Sequence, residues 1–278
     1  PGRIMGEHIG ALAFNKADSI FETKFDALIS ASITDSLITI SDIGGQFDMN
    51  FEFNVSMDTS VSPSITMLTP NLSTAVNLNQ IVWIDSFNVV ATFDVLNSSI
   101  EIDSTILKLD NLFTGLANQL TEYTFNDYFV VDTKKPVLSM ISPATTVVND
   151  SLAGLLFGLE ILFDEPCDIT SIPPVNFSSL GLVNPTFTGI SANWLNDSIF
   201  AIDFFVLDYD ETVLDILTDV TGVYDIHGNP MDASSVACLF ILDTENPSVL
   251  STVSSDAIIN LFSTQFTVNV NFNEAMDT

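Results

Sequence analysis

One eight-residue pattern occurs twice in this chain and divides it. The pattern reads Phe, two aliphatic residues, Asp-Thr, two polar residues and Pro, and it covers residues 129–136 and 240–247. The interval between its aspartates, Asp132 and Asp243, is about 110 residues, which is far longer than a solenoid repeat and close to the size of one β-sandwich domain. The pattern therefore predicts tandem domains: its aliphatic half ends a strand, and its Asp-Thr turn and proline start the next domain.

Other segments recur with the same period. The only two tryptophans, Trp83 and Trp194, are separated by the same interval as the two aspartates, and a degenerate boundary copy occurs at residues 21–24. The resulting domain prediction has final strands of a preceding repeat in 1–21, full repeats in 22–131 and 132–242, and the first strands of an incomplete repeat in 243–278. We expect the sequence to be a window on a longer array, unless another chain completes residues 243–278.

Short strand signals dominate the sequence. Alternating runs rich in Val, Ile, Phe and Thr, such as 47–55 and 199–206, are separated by Asn, Asp, Ser, Gly and Pro. No long stretch has the period of an α-helix, so the sequence predicts an all-β fold. With one tryptophan in each repeat, a role as core anchor is favoured over a ligand platform.

The charge balance limits the partners. The chain has 36 acidic and 6 basic residues and a net charge of −30. Nucleic acid and anionic membranes would repel it. A hydrophobic fraction of 47% and a mean hydropathy of +0.40 are too high for a disordered acidic tail. The most apolar run, 152–163, is too short for a membrane-spanning helix, so we expect no membrane insertion.

The two cysteines, Cys167 and Cys238, both fall in the second predicted repeat. A disulfide and two buried thiols are both compatible with this placement. Cys167 aligns with Met57 of the first repeat, which favours an apolar filler.

Three segments together resemble the bacterial Ig-like domains that occur in tandem in large surface, adhesin and S-layer-associated proteins. They are Phe272–Thr278, Val223–Met231 and the Asp-Thr-x-x-Pro boundary. The resemblance implies tandem immunoglobulin-like β-sandwiches and an extracellular location on a bacterial surface. The first repeat departs from it, because residues 110–118 replace the Asp-x-x-Gly-Asn-Pro loop and Asn54-Val55-Ser56 lacks the glutamate.

In the Ig-like topology, three segments lie at one pole of each domain: the start of the first strand, the loop between the second and third strands, and the loop before the last strand. Oxygen-bearing side chains there predict a Ca²⁺ site, since Ca²⁺ takes six to eight oxygen ligands. The predicted ligands of the second repeat are Asp132, Glu165, Asp168, Asp225 and Asn229. Those of the partial repeat are Asp243, Glu245, Glu274 and Asp277. The competing interpretation is a solvated acidic surface whose aspartates stabilise turns.

Four Asp-Ser-aliphatic segments resemble the O-glycosylation sequon of Bacteroidetes surface proteins. They predict modification at Ser19, Ser36, Ser151 and Ser198, although this composition also produces the segment by chance.

The sequence contains no catalytic constellation. Its two histidines, His8 and His227, fall in different repeats, and neither lies near a serine or cysteine in sequence. We therefore expect a structural protein rather than an enzyme: a stalk, filament or adhesin shaft whose partners are neighbouring repeats of the same or identical chains, with glycans or surface proteins as further partners. The alternative is a carbohydrate-binding or spacer module of a secreted enzyme, with Phe187, Tyr209 and Tyr224 as its candidate aromatic platform.

Overall fold

The computed structural model describes residues 27–178, 186–259 and 265–276, and it divides the chain into two compact units. The first unit is Pro1–Lys134 and the second is Lys135–Thr278. Strands make up 50% of the structure and helices 4%, so the all-β prediction is confirmed. Within the described ranges, no helix has the length and apolarity needed to cross a membrane.

The first unit contains a four-stranded sheet of order β1-β3-β6-β5 and two three-stranded sheets, β2-β10-β7 and β4-β8-β9. Its strands are β1 Leu28–Ile33, β2 Leu37–Thr39, β3 Gln46–Phe53, β4 Ser64–Met67, β5 Val76–Trp83, β6 Asn88–Val95, β7 Glu101–Ile102, β8 Ile106–Asp110, β9 Tyr123–Asn126 and β10 Val130–Asp132. A 3₁₀ helix at Ile40–Asp42 follows β2, and a short α-helix at Leu72–Ala75 precedes β5.

The second unit repeats this arrangement with sheets β11-β13-β16-β15, β12-β20-β17 and β14-β18-β19, and it adds the hairpin β21-β22. Its strands are β11 Leu138–Pro143, β12 Val147–Asn149, β13 Leu156–Phe163, β14 Val175–Ser178, β15 Phe187–Trp194, β16 Ile199–Val206, β17 Thr212–Val213, β18 Leu217–Val220, β19 Ser234–Ala237, β20 Ile241–Asp243, β21 Val249–Ser254 and β22 Val268–Phe272. A 3₁₀ helix at Asp150–Leu152 follows β12.

Strict alternation in the central strands builds each core. Every second residue of β6 and of β16 is buried, so one face of each four-stranded sheet is apolar. In the first unit, Ile38 and Val131 from one smaller sheet and Leu107 from the other join the same core cluster. The core therefore lies between layered sheets, consistent with a β-sandwich. Burial of each large apolar side chain contributes about 1.5–3 kcal/mol.

The first hairpin of each unit has the same irregular register, and the hairpin β21-β22 shares it. Leu28 pairs with Phe53, Leu138 with Phe163 and Val249 with Phe272. In all three hairpins the register shifts directly after that pair. The first members of these pairs recur at intervals of about 110 residues, the length of one sandwich repeat. The sequence period therefore has a counterpart in strand pairing, including a shared irregularity.

The tryptophans fill equivalent places in the two units. The Trp83 ring packs 5.8 Å from Phe53, and the Trp194 ring packs 5.6 Å from Phe163. Their indole nitrogens donate hydrogen bonds to backbone carbonyls at 2.9 and 2.8 Å. This packing supports the core-anchor interpretation.

The disulfide alternative is wrong, because both cysteines are free. Cys167 is buried in the core, as an apolar filler would be, whereas Cys238 is exposed and has a positive φ of 58° after β19. The other alternative, two buried thiols, is therefore correct only for Cys167.

Replacement of Phe93 by alanine tests the core of the first unit. The Phe93 side chain is fully buried and stacks on Phe47 at a centroid distance of 5.1 Å. We expect the free energy of unfolding of this unit to fall by about 3–5 kcal/mol. In a Trp194→Phe background, the fluorescence of Trp83 during urea unfolding reports the first unit.

The matched control is Phe87→Ala, because Phe87 is 43% exposed. It should cost less than about 1 kcal/mol. Equal losses in the two variants would contradict the assigned core.

Candidate functional site

Two loops of the second unit meet at an isolated bridge between Cys167 and Asp225. Next to it, the Asp168 amide donates to the Tyr224 carbonyl at 2.8 Å. Glu165, Asp225 and Asn229 are 6%, 1% and 1% exposed. Burial raises the pKa of the Cys167 thiol to about 12, and the negative charges of Glu165 and Asp225 add to the effect. The structure thus brings two of the predicted acidic ligands close to one thiol.

Asp225 organises its own loop. Its Oδ1 accepts hydrogen bonds from the amides of His227 and Asn229 at 2.8 and 2.9 Å, and its Oδ2 accepts one from Asn229 Nδ2 at 2.8 Å. Gly228 turns the chain with a φ of +89°, a conformation in which glycine has no Cβ penalty. These hydrogen bonds compensate for burial of the carboxylate. Asp225 and Asn229 therefore have a structural role even without a cation.

The first unit builds the same loop from different residues. Met57 bridges to Thr114 as Cys167 bridges to Asp225. The Asn118 amide donates to Thr114 Oγ1 at 3.2 Å, and the Thr114 amide donates to the Asn118 carbonyl at 2.9 Å. Ala117 has a φ of 61° at the position of Gly228.

This loop corrects one detail of the sequence comparison. The sequence indicated that residues 110–118 replace the loop of the second repeat. The residue types are indeed replaced, but the geometry is kept, because it needs an acceptor oxygen and a left-handed residue rather than a carboxylate.

Asp168 stabilises a turn. Its Oδ1 accepts from the Thr170 amide at 2.9 Å and from the Thr170 hydroxyl at 2.6 Å, and these bonds lower the pKa of its carboxyl. Asp58 of the first unit makes the same pair of contacts to Ser60. This repetition favours the turn-stabilising interpretation for Asp168.

Asp132 lies in the first unit, where it is the last residue of β10. It is 1% exposed, and its Oδ1 accepts from the Lys134 amide at 3.1 Å.

A second set of acids collects near the end of β20 in the second unit. The Thr212 hydroxyl lies 2.8 Å from Asp243 Oδ1 and 3.3 Å from Glu245 Oε2, so two predicted ligands converge on one oxygen. Asn273 Nδ2 donates to Glu245 Oε1 at 2.8 Å, which places the residues after β22 beside them. Asp277 lies outside the described residues.

Desolvation and mutual repulsion raise the pKa values of two of these acids. Partial desolvation, followed by the charges of Asp243, Glu245 and Asp150, raises the pKa of the Glu274 carboxyl. Desolvation, followed by the charges of Asp208, Asp210 and Asp243, raises the pKa of Asp150. We call the set the acidic group; its members are Asp150, Asp208, Asp210, Asp243, Glu245 and Glu274.

Asp243, Glu245 and Glu274 are members of the acidic group that the sequence predicts as ligands, whereas it does not predict Asp150, Asp208 or Asp210. Asp208 and Asp210 lie in the loop after β16, and Asp150 begins a 3₁₀ helix. Their sequence signal is weak, because they are distant from β20 along the chain in a protein with 36 acids.

The serines that are predicted glycosylation sites differ in exposure. Ser36 and Ser151 are exposed, and Ser198 is half-buried with its hydroxyl 3.0 Å from Asp197 Oδ1. Ser19 lies outside the described residues, and glycosylation stays a prediction.

The proposed aromatic platform is wrong in one member. The Phe187 ring packs against Phe157 and Phe177 in the core rather than facing solvent. Tyr209 and Tyr224 are partly exposed.

Comparison with protein-family models gives no match, and comparison with curated proteins gives no match either.

Replacement of Asp225 by alanine tests its role in the loop. The amides of His227 and Asn229 would lose their acceptor, and the Asn229 side chain is 1% exposed. We expect the free energy of unfolding to fall by about 1–3 kcal/mol.

Asp225→Thr is the matched variant, because Thr114 supplies the acceptor at this position in the first unit. It should recover a measurable part of the loss in urea unfolding. No difference between the alanine and threonine variants would contradict the assigned role.

NMR titration of the side-chain carboxyl carbons can measure the pKa values of Asp168, which stabilises a turn, and of Asp150 and Glu274, which belong to the acidic group. Asp150 and Glu274 should titrate above their ordinary pKa values, and Asp168 should titrate below it. Asp243→Asn removes a charge that raises the pKa of Glu274, so it should lower the Glu274 midpoint. An unchanged midpoint would contradict the assigned repulsion.

The raised pKa of Glu274 and the lowered pKa of Asp168 change the pH dependence of folding stability in opposite directions. A raised folded pKa means that the folded state binds the proton more tightly than the unfolded state. Acidification through that raised pKa therefore removes the destabilising effect of desolvation and repulsion on the ionised Glu274 carboxyl. The lowered pKa of Asp168 contributes stability above its unfolded pKa, and this contribution is lost as the pH falls through the folded value.

Proposed function

We propose that this chain is part of a tandem array of Ig-like β-sandwich domains that serves as an extracellular stalk, filament or adhesin shaft on a bacterial surface. The observation that carries the proposal is the shared hairpin register, which occurs three times at intervals of about 110 residues, the length of one sandwich repeat. Each unit also has its own hydrophobic cluster. Repetition of domains that each have their own core suits a protein that spans distance.

The pairing of the terminal strands suits such a role. In the first unit β10 pairs parallel with β2, and in the second β20 pairs parallel with β12. In each sandwich one partner is the second strand, β2 or β12, and the other is the last strand, β10 or β20. When the chain is pulled by its ends, parallel partners move in opposite directions along their own axes. The hydrogen bonds between them are then loaded together rather than one after another, which slows forced unfolding.

Surface charge supports the same function. A net charge of −30 causes neighbouring chains to repel one another. The acidic surface would therefore keep long arrays soluble and separate.

The acidic group is the proposed Ca²⁺ site. Its members offer carboxylate oxygens, the hard donors that Ca²⁺ takes. Desolvation is the larger cause of the raised pKa values of Asp150 and Glu274, and the charges of neighbouring acids add a repulsion that a divalent cation would reduce. Asp243 ends β20, whereas Glu274 follows β22. A cation held by both residues would stiffen the link between the second sandwich and the hairpin that follows it.

Single-molecule pulling tests the array function. Each complete repeat of about 110 residues should unfold in one event that lengthens the chain by roughly 350–400 Å. The full chain should give two such events, and Phe93→Ala should lower the force of one of them. Gradual extension without separate events would contradict the proposal.

Thermal unfolding tests the calcium proposal. Saturating Ca²⁺ should raise the melting temperature of the second unit relative to chelator by several degrees, since 100-fold excess over Kd contributes about 2.7 kcal/mol. Glu274→Gln should reduce the response.

Asp203→Asn is the control for this variant. It also removes one negative charge, but Asp203 lies in β16 outside the acidic group and accepts from Ser191. Its response to Ca²⁺ should be unchanged. Equal melting temperatures with and without Ca²⁺ would rule out calcium at this position.

A further inference from the structure

The four-stranded sheets of the two units differ on the outer face, which points away from the core. In the first unit this face is polar, and hydrogen bonds join its side chains across neighbouring strands. The bonded pairs are Ser30 with Glu52 at 3.1 Å, Thr92 with Asp48 at 2.7 Å and Gln46 with Asp94 at 2.7 Å. Such a face is usual for an antiparallel sheet with one side in water.

In the second unit, large apolar residues occupy the two ends of the outer face. Strand pairing places them in two apolar rows, Met140-Leu162-Ile199 at one end and Leu156-Phe205 at the other. The corresponding positions of the first unit are Ser30, Glu52 and Asn88 in one row and Gln46 and Asp94 in the other. Met140 and Leu156 are 53% and 54% exposed. Because the first unit builds the same sheet with polar residues there, folding does not require these apolar rows, and exposed apolar patches mark interaction sites.

A groove of about 270 Å³ lies between the two apolar rows. Gly158 and Ala201 leave room in it, because one has no side chain and the other has only a methyl group. Glu160 and Asp203 also line the groove. Glu160 pairs with Ala201 and Asp203 pairs with Gly158, so the two acids are diagonal neighbours, with their Cα atoms about 7–8 Å apart. A single cationic group can therefore contact both carboxylates.

The second unit has little positive charge of its own to neutralise this groove. Lys135 is the only Lys or Arg after residue 134, and its ammonium group forms an ion pair with Asp232. Asp203 accepts a hydrogen bond from the Ser191 hydroxyl at 2.8 Å, which adds no charge. The groove is thus a negative strip between apolar rows, and it is complementary to a cation that has apolar neighbours.

We propose that the outer face of the sheet β11-β13-β16-β15 binds a segment of another protein in which apolar side chains flank an arginine. The guanidinium lies in the groove between Glu160 and Asp203, and the apolar side chains cover the two rows. Arginine fits better than lysine, because its planar group donates several hydrogen bonds to carboxylates and its stem packs on apolar surface.

A second copy of this chain does not suit the outer face. Two such faces in contact would bring the carboxylates of both copies together, and like charges at an interface oppose association. The chain also has 36 acidic residues and only 6 basic ones. The partner is therefore a different protein, and its binding requires neither the array nor a bound Ca²⁺.

NMR titration of the isotope-labelled full chain with the capped peptide Leu-Ser-Arg-Ser-Leu tests the proposal. The leucine and arginine side chains of this peptide lie on one side when it is extended. We expect saturable chemical-shift changes confined to the outer face of the second unit. A peptide with citrulline, the neutral analogue of arginine, should bind at least about threefold more weakly.

Protein variants locate the site. Glu160→Gln removes one carboxylate of the groove and should weaken binding by at least about threefold. Glu52→Gln is the matched control, because it removes the same charge from the outer face of the first unit, and binding should stay unchanged. Met140→Ser gives the apolar row the residue type that the first unit carries at Ser30, so the sheet should stay folded while binding weakens.

Three results of the titration would overturn the proposal. They are shift changes spread over the acidic surface of both units, equal binding of the arginine and citrulline peptides, and equal affinities of the Glu160→Gln and Glu52→Gln variants. Self-association in sedimentation equilibrium that Met140→Ser abolishes would also overturn it, because a second copy would then be the occupant. Each of these results leaves the two-event pulling prediction standing, so the binding face and the array function fail separately.

Discussion

Burial of alternate side chains from two central strands is the interaction on which each unit depends. β3 and β6 in the first unit, and β13 and β16 in the second, bury every second side chain, and the buried residues on that face are almost all large aliphatic or aromatic ones. The facing sheets close over that face and form one core per unit. This burial must offset the self-repulsion of a chain with a net charge of −30.

Acidic residues have two different roles in this chain, and their electrostatics separate them. Asp58 and Asp168 accept hydrogen bonds from their own turns, which lower their pKa values. Desolvation, followed by the charges of neighbouring carboxylates, raises the pKa values of Asp150 and Glu274. The first kind stabilises local backbone. The second kind stores repulsion that a cation would reduce, and for this reason calcium is proposed at the acidic group rather than at Asp168 or Asp225.

The sequence predicted the features that follow from local pattern. Alternation of apolar and polar residues indicated the all-β fold. The repeat period of about 110 residues agrees with the equivalent packing of Trp83 and Trp194 and with the recurring register of the first hairpin. The sequence did not predict that Thr114 and Ala117 form the same loop geometry as Asp225 and Gly228. Such a loop tolerates any residues that provide the same hydrogen-bond acceptor and the same backbone angle.

Two features could not be predicted from the sequence because they depend on how the strands pack. Proximity of Asp150, Asp208 and Asp210 to Asp243 is one, since residues on separate loops come together only through strand pairing. Phe187 was proposed for the surface because an aromatic residue in an alternating run carries no sign of which face is inward.

If each repeat buries its own core, the segment 135–246 should fold without the rest of the chain. Urea unfolding of this isolated segment, with the full chain measured beside it, can be followed by Trp194 fluorescence in a Trp83→Phe background. We expect one cooperative transition in the segment, with a midpoint close to that of the same unit in the full chain. A segment that fails to fold, or that unfolds without cooperativity, would contradict the claim.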